Sequence, residues 1–229
     1  MAFDPADYDV KSFLSAPRFA TYQYKTSFQD EKASRLYFWN QELAGTFLGP
    51  LSVLEIALRN SIHSHLSAHF GEEWITDASA CDLLDEDREG FEKTIDRLEN
   101  MGKDISPDAV VAASSFGDWV RLLGDGQPRN SIYNYEKTLW VPALKEAFPK
   151  RGKIERKEIH GRLNHLRSFR NRVVHHEPIF KRNLKLMMSD IVTVTRMIND
   201  DAATIVELGN RLDEVLNAKS DALAGSCPI

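Results

Sequence analysis

Leu51, Leu54, Leu58, Ile62 and Leu66 fall three or four residues apart, the interval that lines side chains along one face of an α-helix. Apolar residues recur at the same spacing through the other long segments, and no stretch shows the apolar–polar alternation of a half-buried strand. The fold class that follows is all-α. At 229 residues the chain can bury a sizeable core without disulfide or metal staples.

Glycine and proline divide this pattern into segments. A first helix is expected over residues 29–44 and a second over 50–70, with Gly49-Pro50 as the turn between them. A more polar helix over 82–100 should end near Gly102. A fourth opens at Ser106-Pro107-Asp108, a capping residue followed by proline, and carries Phe116, Trp119, Leu122 and Leu123. Residues 124–153 mix glycine, proline and aromatics, which suggests an irregular connection with a short helix over 141–147. Closing helices are expected over 154–176, 181–198 and 202–218. Pro178 disfavours helical geometry at Glu177, so the first of these should stop near His175-His176. The domain reading is an N-terminal extension over 1–28, partly ordered, one all-helical domain over 29–218, and a flexible tail over 219–229.

Charge is unevenly distributed. The formal net charge is −5, yet residues 151–185 hold eleven Lys and Arg against Glu155, Glu158 and Glu177, together with four of the seven histidines. A local polyanion site on an acidic body fits this asymmetry, because phosphate affinity depends on nearby charge; a solvated basic helix face is the plainer alternative. Cys81 and Cys227 lie far apart and neither belongs to a Cys-x-x-Cys pair, which argues against a disulfide framework and suits a reducing cytoplasm. The acidic start, Met1 to Asp7, does not resemble a signal peptide, and no apolar run is long enough for a membrane span, so secretion and membrane insertion are not expected.

The densest chemistry lies in Arg170-Asn171-Arg172-Val173-Val174-His175-His176-Glu177-Pro178. Asn171 and His175 share a helical face, whereas Arg170 and His175 diverge by about 140° at 3.6 residues per turn. One helix therefore does not easily close a compact site, and a second copy of the chain could complete it. Histidine exchanges protons near neutrality, and arginine supplies fixed charge and paired donors to phosphate. These are the parts needed for metal-free RNA cleavage, in which a 2′-hydroxyl attacks the adjacent phosphorus.

Arg170-x4-His175, with Asn171 directly after the arginine, is similar to the Arg-x4–6-His signature of HEPN domains. Four blocks together resemble the Abi-like (abortive infection) family of bacteria within that superfamily: Leu36-Tyr37-Phe38-Trp39-Asn40, Leu54 to Asn60, Ser115 to Leu123, and Leu166 to Ile179. The resemblance covers residues 30–195. It implies a HEPN-like helical bundle, here with additional N-terminal helices, and a homodimer that brings two motifs together. It also implies RNA cleavage that arrests a phage-infected cell, with an antitoxin or a small non-coding RNA as a restraining partner. Arg170 and His175 are implied as the catalytic pair, with Asn171 in support.

Glu55, Arg59 and His63 are spaced four apart and line one polar stripe beside Asn60. An intrahelical ion pair is the plain reading. The resemblance includes Glu55, Arg59 and Asn60, and would make this face contribute an extra arginine or orient a catalytic group. His160, His165, His175, His176 and Glu177 are chemically adequate metal ligands, but neither histidine pair has the i, i+4 spacing of a His-Glu-x-x-His site, so no metal is expected. Tyr37, Phe38, Trp39, Phe116, Trp119 and Trp140 could stack bases, although aromatics at helical spacing usually fill cores. No phosphate-binding glycine loop or nucleophile elbow is present, and no cofactor is expected.

The expectation is a metal-independent endoribonuclease in which Arg170, Asn171 and His175 act, Arg172, His176, Arg167, Arg59 and Asn60 bind RNA, and Glu55 and Glu177 support them. The rivals are a non-catalytic RNA- or protein-binding module and a toxin silenced by an antitoxin RNA or protein.

Overall fold

The computed structural model describes residues 4–226, so Met1 to Phe3 and Cys227 to Ile229 lie outside the described residues. Within them the chain is all-α: ten α-helices, short 3-10 segments and one π-helix, with no strand. No helix among the described residues is long and apolar enough to cross a membrane. The chain divides into two compact units. The first gathers Met1–Leu51, Phe169–Ser189 and Val206–Ile229; the second gathers Ser52–Ser168 and Asp190–Ile205.

The turn expected at Gly49-Pro50 does not form. Helix α2 runs unbroken from Asp30 to Phe70 with Pro50 inside it. The reason lies in the register of the apolar stripe: Leu36, Trp39, Leu43, Phe47, Leu51, Leu54, Leu58, Ile62 and Leu66 are all buried, and their spacing never breaks across the proline. An interior proline costs about 3 kcal/mol, while fully burying each large apolar side chain contributes about 1.5–3 kcal/mol. Continuity therefore wins. The breaking signal still has a trace, since the boundary between the two units falls one residue after Pro50.

In the first unit, 3-10 turns over Pro5–Asp7 and Val10–Ser12 lead into α1 (Ala16–Lys25). This N-terminal segment is packed: Val10, Phe19 and Tyr22 are buried, and Arg35 grips Asp4 through Nε and Nη2 at 3.0 and 2.6 Å. That pairing holds the Asp4 carboxyl below its usual value. Tyr22 meets Tyr37 and Phe180 edge-on or tilted, and Phe47 meets Phe169 at 4.7 Å. Trp39 donates from its indole to the Val215 carbonyl at 2.9 Å, and the Lys219 ammonium lies over its ring.

The second unit holds α3 (Asp85–Asn100), α4 (Pro107–Ala113) and α5 (Phe116–Arg121). The single helix expected from Ser106 to Leu123 is split, because Ser115 and Asp118 form a reciprocal capping box that starts a new helix. Trp74, Phe91 and Trp119 pack edge-to-face in its core. The irregular connection contains a π-helix, Glu136–Leu144, with Pro142 inside it. Buried Arg156 ties this connection down, bonding the carbonyls of Leu123 and Gly124 and the carboxylates of Asp125 and Glu136.

Helix α6 runs from Arg156 to Val174 and α7 from Leu184 to Ile198. The last expected helix is broken at Gly209-Asn210 into α8 (Asp200–Leu208) and α9 (Leu212–Asn217), followed by α10 (Lys219–Ala224). Helix α10 occupies part of the segment expected to be a flexible tail.

Candidate active site

The Arg-Asn-x3-His motif lies at the C-terminal end of α6, where that helix belongs to the first unit. Phe169 and Val173 are buried and fix the helix rotation. With those two inward, Arg170, Arg172 and Val174 are half-buried at the margin, and Asn171, His175 and His176 are exposed. The two histidines are thus open to solvent.

The helix ends in a Schellman turn. His176 adopts φ +57, the left-handed region, and its N–H donates to the Val173 carbonyl at 3.2 Å. The Glu177 N–H donates to the Arg172 carbonyl at 2.9 Å, so two of the last turn's orphan carbonyls are satisfied. The side chains of the same residues close the turn from outside: Arg172 Nη1 pairs with Glu177 Oε2 at 3.1 Å. An ion pair stands here where an apolar contact is usual. It also means that Arg172 is partly neutralised before any phosphate arrives.

Two residues outside the motif hold its far side, and neither is evident as a site residue from the sequence. Asn40, fully buried on α2, accepts the Ile179 N–H at Oδ1 (2.9 Å) and directs Nδ2 to the Glu177 carbonyl (3.4 Å). Its amide thus spans Pro178, which has no N–H of its own. Arg18 on α1 extends Nη2 to the His175 carbonyl at 3.4 Å. The available signal for Asn40 is its place in the first family-like block; no signal points to Arg18.

Arg167 lies one turn before Arg170 on α6 and belongs to the second unit, where its side chain passes beside Gly117. Glu55, Arg59 and Asn60 also belong to that unit. Arg59 donates from Nη1 to the Ala112 carbonyl at 3.0 Å, so part of its donor capacity serves the fold; Asn60 is exposed and Glu55 half-buried. His63 serves packing. Its Nδ1 accepts the Trp74 indole N–H at 3.1 Å, and since indole nitrogen only donates, that nitrogen carries no proton. Burial holds the His63 imidazole below its ordinary value, with Glu72 and Asp108 opposing. Burial also lowers His160, helped by Arg156.

Of the aromatic group, Trp39, Phe116, Trp119 and Trp140 are buried, while Tyr37 and Phe38 are half-buried. Four of the six therefore serve the core. Among the described residues no three His, Cys, Asp or Glu side chains converge as a metal-holding group. Cys81 is buried, and burial pushes its thiol up to about 12, so it is not a thiolate nucleophile at neutral pH.

What the arrangement can do is bind an anion and move a proton beside it. Arginine donors and two exposed imidazoles share a helix end whose backbone is fixed by the Schellman bonds and by Asn40. Compared with protein-family models, with curated proteins and with solved structures, the chain matches none.

Proposed function

We propose that the chain is a metal-independent endoribonuclease of the Abi-like HEPN group, acting as a cytoplasmic homodimer in anti-phage defence. The observation that carries this reading is that exposed His175 and half-buried Arg170 both fall at a braced helix end, within the most basic part of the chain. In the proposed step, the 2′-hydroxyl loses its proton to a base, its oxygen bonds to the adjacent phosphorus, and the bond from phosphorus to the 5′-oxygen breaks. The leaving oxygen takes a proton, and the products carry a 2′,3′-cyclic phosphate and a 5′-hydroxyl. His175 acts as general base or acid, Arg170 stabilises the charge on the pentacoordinate phosphorane, and Asn171 positions His175 or the phosphate. Arg172, His176, Arg167, Arg59 and Asn60 hold the RNA. A second copy contributes the facing motif, and an antitoxin RNA or protein restrains the enzyme.

The test is cleavage of cellular RNA in the presence of EDTA by the parent chain, His175→Ala and Arg170→Ala. Proton-transfer and charge-stabilising groups each contribute about a hundredfold or more, so both variants should lose at least that factor, with cyclic phosphate ends only in the parent digest. Equal cleavage by all three proteins overturns the assignment. Salt-sensitive binding without any cyclic phosphate product identifies a binding module instead.

A further inference from the structure

Apart from the motif, the N-terminal segment carries the most unusual surface of the first unit. Among the described residues, the large hydrophobic side chains that stay exposed include four aromatics, Tyr8, Phe13, Tyr24 and Phe28, and all four fall between residues 8 and 28. Tyr24 and Phe28 are 73% and 69% exposed. Exposed aromatics in such density on one short segment point to a stacking surface rather than to unfinished packing. Within the same segment Lys11 is paired with Asp30, which leaves Arg18 and Lys25 against Asp9.

The segment is not a loose arm. Phe19 and Tyr22 anchor α1 in the core, and Tyr22 touches Phe180, three residues beyond Glu177. This anchoring sets Arg18 against the His175 carbonyl. The turn after α1 is built to keep Phe28 outward. Ser27 and Phe28 both have positive φ, 52 and 60, which non-glycine residues rarely adopt in succession. Thr26 holds that turn by reaching the carbonyls of Tyr22, Gln23 and Gln29, and the Phe28 N–H bonds the Gln23 carbonyl at 2.8 Å.

We infer that residues 8–28 form a binding track for single-stranded RNA, in which Tyr24 and Phe28 stack bases and Arg18 takes a backbone phosphate next to His175. The inference rests on the RNA-cleaving reading above and adds to it the surface that holds the strand. A single strand fits because its bases are free to lie on aromatic faces, whereas a duplex keeps them stacked on one another. Arg18 supplies the fixed charge that Arg172, paired with Glu177, has in part committed.

The experiment titrates the full chain with a fluorescent 2′-O-methyl oligonucleotide, which presents bases and phosphates but cannot be cleaved, alone and hybridised to its complement. The variants are Arg18→Ala, Tyr24→Ser, Phe28→Gly and, as an exposed apolar control elsewhere, Leu208→Ser; thermal melting checks that each is folded. Glycine is chosen at 28 because it suits the positive φ. The parent should bind the single strand at least tenfold more tightly than the duplex. Tyr24→Ser and Phe28→Gly should each weaken binding about fivefold to a hundredfold. Arg18→Ala should weaken it and make the log–log salt slope shallower by about 0.7. Leu208→Ser should bind as the parent does. Folded track variants that bind like the parent, or a parent that prefers duplex or binds neither, overturn the track. Parallel cleavage assays separate the two readings: His175-dependent cleavage with unchanged binding in the track variants removes only the track. Weakened binding in those variants without His175-dependent cleavage removes only the catalysis.

Discussion

Asn40 accepts the backbone N–H of Ile179 at 2.9 Å while its amide nitrogen faces the Glu177 carbonyl, so one buried side chain from α2 braces the chain on both sides of Pro178. Fixing Glu177 in this way also fixes the Schellman turn that presents His175. Asn40→Leu is nearly isosteric and leaves the Ile179 N–H buried without a partner. A loss of about 1–3 kcal/mol is expected, read as a lower urea midpoint at unchanged slope. An unchanged midpoint would show that Asn40 does not brace the turn.

His176 occupies a position where glycine is the usual residue. Its positive φ costs about 1–2 kcal/mol for a side chain with a Cβ, part of which glycine returns as unfolded-chain entropy. His176→Gly should therefore raise stability by about 0.5–1 kcal/mol, whereas His176→Val, branched at Cβ, should lower it. Calorimetric melting of the pair tests the sign. If the imidazole also contacts phosphate, His176→Gly will be the more stable protein and the weaker RNA binder.

Gly90 on α3 leaves room for the ion pair between half-buried Arg121 and buried Asp118. A Cβ there would lie 2.3 Å from Asp118 Oδ1 and 2.5 Å from Arg121 Nη2. Those atoms are committed, since Arg121 Nη2 bonds Asp118 Oδ1 at 2.6 Å and Asp118 Oδ2 receives the Ser115 N–H and hydroxyl. Gly90→Ala should cost about 1–3 kcal/mol in spite of alanine's better helix propensity. Gly161, exposed on α6 with nothing within 4 Å of where a methyl would stand, should gain from the same change. Chemical denaturation of the two variants should thus move in opposite directions.

His63 gives a pH dependence of definite sign. Its folded-state pKa lies below the ordinary 6.5, because burial disfavours the cation and the Trp74 N–H occupies Nδ1. A depressed value means that the unfolded chain takes up the proton first, so the contribution is fully present above 6.5 and is lost as pH falls through the folded value. His63→Gln offers an acceptor to Trp74 without titrating. Its stability should fall less steeply than the parent's below pH 6.5, as measured by denaturant midpoints across that range. Parallel curves would assign the acid limb to other groups.

Much of this molecule was legible in its residue order. The three-and-four spacing of Leu51 to Leu66 specifies helix because side chains repeat every 3.6 residues whatever surrounds them, and all of that stripe is buried. The stop near His175 was legible as well, since proline restricts the residue before it. The charge asymmetry and the Arg-Asn-x3-His spacing needed no coordinates to be noticed. Gly49-Pro50 was misleading, because a local breaking signal competes with the apolar register that continues on both sides of it, and the register wins.

What residue order could not supply was the company each side chain keeps. That Asn40 meets Ile179, that Arg18 meets His175 and that Gly90 must stay bare are contacts across 139, 157 and 28 positions of chain. Periodicity is a property of neighbours along the backbone. Contacts of this range arise only when helices pack, and burial then decides which polar groups are obliged to find one another.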